Sequence, residues 1–572
     1  MRASNKDPEL LSRRSFVRVM VAGLGAAAAS GVLAACTSSA PPASTAAPAS
    51  AGATGASSAP TAGAASTSAT AQPVAGGTLT WAMPFGTNID VMAVLQTGVN
   101  QFGLWAYDGL FDWGPDQKVH PMLVKDEQVS SDGLTVTWQL QDGVKFHDGT
   151  PFNAEAVKWN LERKINKKYS PFDLLPFKTV DVVNDTTTRI KLDHPYSGLS
   201  SVLANRSFAM YSPTFVEKNG DDAMKSQACG TGPYMVTDFN TNDSIMMKKN
   251  PDYWQKGLPY FDNVVIKIVQ DANTRATMLA SGDTDVATEI LAPDFQRFKT
   301  TPGVKVIEGL GSQQWYITMN TQHPGLDDKR VRQAINYAVD KDGIVQSIYL
   351  GSAKPAQAMF ATPGLDGFSP AGVYQYNPDK AKQLLDDAGW TLGSDGIREK
   401  SGQKLTPNIW CTKGATAGDY EITELVQGQL KNVGIGAQLT VLDNATFNPR
   451  VSVPPQDAQY DMVSLSFNDP SGGVDYVANM LYSSKAFPPR YYNRAYYSNP
   501  EVDKLIEQSN SAPDTATRDK QYAQIIKMVF DDAPLIQLVD LNQRIAMKDN
   551  IQGIYLDGPP NNFPAQFAWR SQ

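Results

Sequence analysis

The stretch Leu134-Thr135-Val136-Thr137-Trp138-Gln139-Leu140 alternates between apolar and polar positions, the period-two signature of a strand with one buried face. Gly77–Trp81 and Thr188–Leu192 predict two more strands. Helical spacing replaces this alternation after Asn153, where Ala156, Val157, Trp159, Asn160 and Leu161 follow a residue suited to accept a hydrogen bond at a helix N-cap. Between Asp328 and Val339 the apolar residues Val331, Ile335, Ala338 and Val339 fall on one face, with Asp327 or Asp328 as the cap. From Asn377 to Ala388 the signals repeat: Pro378 fits a first helical turn, Ala381, Leu384, Leu385 and Ala388 form a stripe, and Gly389 can terminate the helix in a left-handed conformation. A helix over Glu421–Leu430 feeding a strand over Val433–Leu442, helices over Pro500–Ser509 and Thr515–Asp531, and a strand over Leu535–Leu541 complete the pattern. Helices and strands alternate, which predicts an α/β fold, and no repeat of solenoid period is present.

The first 76 residues lack this texture. Ser12-Arg13-Arg14-Ser15-Phe16-Val17 is a twin-arginine export pattern, and the uncharged run from Val19 to Ala35 follows it. That run ends in Leu33-Ala34-Ala35-Cys36, which resembles a lipobox and marks Cys36 as the residue to be acylated; an uncleaved membrane anchor is the alternative. Residues 1–36 therefore read as a lipoprotein signal. Residues 37–76 are almost wholly Ala, Ser, Thr, Pro and Gly, too poor in large apolar side chains to offset the entropy of ordering, and read as a tether spanning roughly 35–40 Å.

Composition narrows the function. A 572-residue chain can bury more than one core, so two or more lobes are expected. A net charge of -8 with dispersed Lys and Arg argues against a nucleic-acid partner. With Cys36 lipidated, Cys229 and Cys411 remain, and their spacing leaves both a disulfide and two buried thiols open. His120, His147, His194 and His323 are far apart, so no His-based metal site is expected, and no nucleophile elbow, H-E-x-x-H, P-loop or dinucleotide fingerprint occurs. Asp283 and Asp285 read as a solvated turn. Aromatic residues make rigid ligand contacts, and Trp315, Trp410 and Phe467 stand out beside predicted strand ends.

Several collinear motifs after Gly77 carry a resemblance. They are Tyr107-Asp108-Gly109-Leu110-Phe111, the run Leu140-Gln141-Asp142-Gly143-Val144-Lys145-Phe146-His147-Asp148-Gly149-Thr150-Pro151-Phe152, Gly230-Thr231-Gly232-Pro233-Tyr234, Asn250-Pro251-Asp252-Tyr253-Trp254, Asp328-Lys329-Arg330-Val331-Arg332-Gln333-Ala334 and Asp532-Ala533-Pro534-Leu535-Ile536. Together they resemble the extracellular solute-binding proteins of the peptide/nickel class of ABC importers. The resemblance implies a two-lobed α/β fold of the periplasmic-binding-protein kind with a hinge and a small insert domain. It places lobe one at 77–111, 179–308 and 534–572, the insert at 112–178 and lobe two at 309–533.

The same resemblance implies ligand contacts from Thr288 and Glu289 on a cleft strand, Trp315 and Tyr316 past the crossover, and Phe172 in the insert. Peptide-binding members place an aspartate after the aromatic position matched by Phe467. Here the segment Ser464–Pro470 is shorter, Asp469 is the candidate for that role, and its loss would suit a neutral ligand. The expected protein is a monomeric binding protein, not an enzyme, without cofactor or metal, exported and held on the outer face of the cell membrane. Its partners would be a small solute or peptide, the permease of an importer, and the membrane through its anchor. An oligosaccharide carrier, a surface sensor that does not transport and, last, a secreted hydrolase are the alternatives.

Overall fold

The computed structural model describes residues 72–572, apart from 87, 93–96, 117, 168–174, 359–362, 364–365, 414–417, 469–472, 513 and 557–562. The export signal, Cys36, most of the tether, Phe172 and Asp469 lie outside the described residues.

Local signals place the helices where the side-chain pattern predicts them. Asn153 Oδ1 accepts from the Ala156 amide at 3.0 Å and opens helix Ala154–Lys167. Asp328 caps Lys329–Tyr337, and Asn377 caps Pro378–Asp387, beyond which Gly389 adopts φ +85°. Helices Asp419–Lys431, Pro500–Asn510 and Thr515–Asp532 match the remaining expectations to within a few residues.

One eleven-stranded sheet runs through the molecule. Its order is Gln438–Leu442, Asn408–Thr412, Met462–Asn468, Val304–Met319, Leu535–Lys548, Val286–Thr288, Thr78–Met83, Asn263–Ile268, Ser244–Lys249 and Tyr234–Asn240, with Ala353–Pro355 paired to the side of Leu535–Lys548. The two halves are built alike. Thr78–Met83 lies parallel to both Asn263–Ile268 and Val286–Thr288, and Asn408–Thr412 lies parallel to both Gln438–Leu442 and Met462–Asn468. Helices cover these parallel strands, so each half is an α/β lobe with its own core. Lobe one packs Trp81 against Trp105 with ring centroids 4.8 Å apart, among Phe102, Tyr107, Ile266 and Met547. Lobe two packs Ile317, Ile335, Val426 and Met462 in one core and Tyr316, Tyr476, Tyr482 and Ile526 in another.

A separate four-stranded antiparallel sheet, in the order Val124–Val129, Thr135–Leu140, Thr187–Leu192, Phe177–Asn184, carries helix Ala154–Lys167. Its core joins Trp138, Leu161 and Ile190 to Leu203 and Phe208, so this layer draws on residues on both sides of position 178.

Among the described residues, two long strands connect the lobes through the sheet. Val304–Met319 and Leu535–Lys548 run antiparallel, and their register holds from Val304↔Lys548 to Leu310↔Asn542 on the lobe-one side. It resumes from Gln314↔Asp540 on the lobe-two side, after a shift between Leu310 and Gln314. The sequence pattern predicts a shorter strand ending near Leu541, because Asn542-Gln543-Arg544 interrupts the apolar run; pairing across the lobes extends it to Lys548.

The expected solvated turn at Asp283 and Asp285 holds for Asp283 alone. Asp285 is 5% exposed; its Oδ2 accepts from the Thr80 amide and hydroxyl at 2.9 Å each, and its Oδ1 pairs with Lys548 at 3.0 Å and Arg570 at 3.2 Å. Its position beside central strand Val286–Thr288 turns it inward, where cations from the C-terminal segment offset its desolvation.

Gly311 lies inside the register shift, and a Cβ there would sit 2.6 Å from the Leu541 carbonyl oxygen. Gly311→Ala is therefore expected to lower unfolding free energy by about 1–3 kcal/mol in a denaturant titration. Gly428, inside helix Asp419–Lys431 with nothing within 4 Å of a Cβ, provides the control: Gly428→Ala should gain about 0.5–1 kcal/mol. Equal responses at the two positions would mean that the crossing has no steric constraint.

Candidate functional site: the seam between the lobes

In lobe one, the expected cleft residues Thr288 and Glu289 are positioned by an arginine that sequence reasoning did not single out. Asp271 caps helix Ala272–Ser281, and Arg275 in its first turn is buried. Its guanidinium donates to the carbonyls of Val269 at 2.7 Å, Gln270 at 2.9 Å and Thr288 at 2.9 Å, and also to that of Glu289. Four carbonyls gathered on one rigid fork fix the exit of strand Val286–Thr288. Glu289 there adopts φ +50°, a left-handed conformation that costs a non-glycine residue about 1–2 kcal/mol. Its side chain still meets solvent, although the protein packed around it displaces much of its water. Displaced water pushes its carboxyl above the usual range, and the Arg275 guanidinium opposes that shift. Thr288 is buried, and its hydroxyl has no hydrogen-bond partner in the structure.

On the lobe-two side, strand alternation sends the two crossover aromatics to opposite faces. Trp315 is 2% exposed and belongs to the core around Ile317 and Ile335, where its indole donates to Ser464 Oγ at 3.1 Å. Tyr316 joins the second core with Tyr476, and Phe467 packs against that core, its half-buried ring stacked on Tyr476 at 6.0 Å. Trp410 lies elsewhere, against Tyr460 and under the Arg450 guanidinium at 4.6 Å. The structure thus brings Tyr316 and Phe467 together and leaves Trp315 and Trp410 in two other clusters. Cys229 and Cys411 are buried free thiols, in the insert core and on strand Asn408–Thr412.

The insert side touches lobe two beside this aromatic cluster. The Tyr196 hydroxyl donates to Asp475 Oδ2, one residue before Tyr476. A Cβ on Gly198 would stand 3.3 Å from the same oxygen and 3.6 Å from Arg518 Nη1. Arg518 is buried and pairs with Asp366 at 2.8 Å and Asp519 at 3.1 Å. Burial pushes Asp475 upward; the Tyr196 hydrogen bond and the Arg518 charge pull it back. No local pattern in Asp193-His194-Pro195-Tyr196 or around Arg518 signals this contact, because it joins residues 279 positions apart.

At the crossing itself, Gln314 Nε2 donates to Asp540 Oδ1 at 2.7 Å and to the Ala358 carbonyl at 3.1 Å. Desolvation raises Asp540 to about 7. Among the described residues, no group of three or more His, Cys, Asp or Glu side chains is placed to hold a metal, and no helix is long and apolar enough to cross a membrane.

This architecture has known counterparts. Residues 118–488 match the model of the bacterial extracellular solute-binding proteins, family 5, middle region. The chain belongs to that family. The glutathione-binding protein GsiB of Shigella flexneri is 31% identical over 456 residues, covering 79% of this chain and 86% of its own; GsiB of Escherichia coli K12 is 30% identical over the same length. Among solved structures, NikA of Brucella suis in complex with Fe(III)-EDTA superposes with a TM-score of 0.76 at 25% identity, covering 86% of this chain and all of its own. The oligopeptide-binding protein AppA of Bacillus subtilis, in complex with a nonapeptide, superposes with a TM-score of 0.75 at 24% identity, covering 88% of this chain and all of its own. The family-5 chain is a two-lobed solute-binding protein, the substrate-binding component of an ABC importer, and not an enzyme.

Two outcomes follow from the seam. Trp315→Ala should lower stability by about 3–5 kcal/mol, because a buried indole is lost from a packed core; chemical denaturation measures it. Asp540 is protonated more readily folded than unfolded, so its contribution is greatest below about pH 4 and is lost as pH rises through about 7. Asp540→Asn retains an acceptor for Gln314, and the stability difference between variant and wild type should shift in the variant's favour by a few kcal/mol across that window. A difference independent of pH would show that Asp540 titrates normally.

Proposed function

We propose that this protein captures a peptide, or a solute of similar size, at the seam between its lobes and delivers it to the permease of its importer. The observation that carries the reading is the pair of crossing strands, which join two separately packed lobes, with the Tyr196–Asp475 hydrogen bond as a further contact to lobe two. A solute that touches both lobes binds the closed form more tightly than the open form, so occupancy biases closure. A division into two lobes and an insert is part of this proposal, with the insert sheet extending past the expected boundary at 178, as is a monomer.

Delivery requires the protein to stay near the membrane. The twin-arginine pattern and the Leu33-Ala34-Ala35-Cys36 lipobox support export followed by acylation of Cys36, with residues 37–76 as the tether. Cys36→Ser is expected to move the protein from the membrane fraction to the soluble exported fraction; continued sedimentation with membranes would point to an uncleaved span.

Native mass spectrometry of protein purified without denaturation, followed by thermal-shift measurements with glutathione, di- and oligopeptides and oligosaccharides, tests the ligand. The peptide reading expects stabilisation by at least one peptide. Stabilisation by oligosaccharides alone would replace it with the second reading, which the Phe467–Tyr476 stack favours because sugars pack on aromatic faces. Tyr196→Phe removes one bond across the seam and should weaken binding by up to about tenfold while unfolding free energy changes by about 1 kcal/mol or less. Unchanged affinity would take that contact out of the closure mechanism.

A further inference from the structure

Lobe two contains a pocket that is separate from the seam. Its volume is about 350 Å³, at the small end of the range for small-molecule sites. Pro355, Pro370 and Val373 supply apolar walls. The polar lining is Lys341, Asp342, Lys354, Gln357 and Gln375, with the rings of Tyr374 and Tyr376. Lys354, Gln357, Gln375 and Tyr376 are exposed at the rim, whereas Lys341 and Tyr374 are buried at the floor.

Lys341 is the unusual member. It is 3% exposed, and its Nζ has no hydrogen-bond partner in the structure. The Tyr374 ring lies 5.8 Å away, within reach of a weak cation–π attraction that leaves all three N–H donors unused. Buried ammonium groups are ordinarily paired, and a buried donor with no partner calls for a bound molecule or a lost proton. The surroundings favour a negative guest. Lys354 adds a second cation at the rim, and the amides of Gln357 and Gln375 can each donate. The charges facing Lys341 are Asp342 on its own helix and Lys354 on strand Ala353–Pro355; Asp540, directly across from Lys354 on the neighbouring strand, accepts from Gln314 and from the Gln357 backbone and feels the Lys354 charge.

We propose that this pocket is a second binding site, for a small oxyanion held by the Lys341 ammonium at its floor, with Lys354 and the two glutamine amides closing over the guest. The guest is either a free inorganic anion or the carboxylate of a compact organic acid; the pocket shares no residue with the seam, so the site stands or falls independently of the transported ligand. Desolvation lowers Lys341 to about 7, so the ammonium is present below that pH and fades above it. Anion binding should follow the same course.

Isothermal titration of the full-length protein with sodium phosphate and, separately, sodium benzoate at about pH 6 tests the site, and benzoate is then repeated at about pH 8.5, where its own charge is unchanged. Saturable binding of phosphate alone identifies an inorganic guest; binding of benzoate alone, or of both, identifies a carboxylate site. Benzoate affinity should fall at least about tenfold between the two pH values, and Lys341→Met, which fills the same volume without charge, should weaken binding at about pH 6 by a similar factor. If Lys341→Met does not fold, Lys354→Gln at the exposed rim should still weaken binding about threefold or more. No saturable binding of either anion, or equal binding by wild type and these variants, would overturn the proposal.

Discussion

The structure depends on one pairing: the antiparallel ladder between Val304–Met319 and Leu535–Lys548. Every other strand of the large sheet lies to one side of it or the other, so both lobes hang from the same two segments of backbone. The ladder runs in unbroken register from Val304 to Leu310, and it is shifted between Leu310 and Gln314 and again between Trp315 and Tyr316. An irregularity of this kind, like a β-bulge, bends and twists a strand locally without ending it. Gly311 allows the Leu541 carbonyl to approach at this point, and Gln314 and Asp540 form the first paired side chains beyond it.

From that crossing outward, apolar burial organises the protein into independent cores. Trp81 and Trp105 anchor lobe one, Ile317 and Ile335 anchor the main core of lobe two, and Trp138 and Leu161 anchor the insert. Lobe one and the insert share apolar contacts, with Trp159 packed against the lobe-one core and Phe215 against both cores. Where the insert side meets lobe two, the contact among the described residues is polar: a tyrosine hydroxyl on a carboxylate at Tyr196 and Asp475, with Arg518 held behind by Asp366 and Asp519. Hydrogen bonds at a seam can be exchanged for water or for ligand at small net cost, whereas separating packed apolar surfaces cannot.

Buried charge serves as a positioning device at two places in lobe one. Arg275 spends its guanidinium on four backbone carbonyls and so fixes Glu289 in a conformation its own sequence disfavours. Asp285 ties strand Thr78–Met83 to Lys548 and Arg570 in the C-terminal segment, closing lobe one around residues from opposite ends of the chain. In each case a charge is desolvated, and in each case multiple partners replace the lost water.

What the sequence determined by itself is local. Period-two alternation located Thr135–Leu140, and caps such as Asn153, Asp328 and Asn377 located their helices, because these signals act between residues a few positions apart. The family motifs then implied two lobes and a hinge. Tertiary structure alone decided the rest. The expected cleft residue Trp315 became core while Tyr316 and Phe467 met Tyr476, since which face of a strand is buried depends on what packs above and below it. The strand that looked complete at Leu541 continued to Lys548, because a polar run can remain extended when a partner strand supplies its hydrogen bonds. Tyr196, Asp475 and Arg518 carried no mark in the chain at all: a contact between distant residues is a property of the folded surface, and local periodicity holds no information about it.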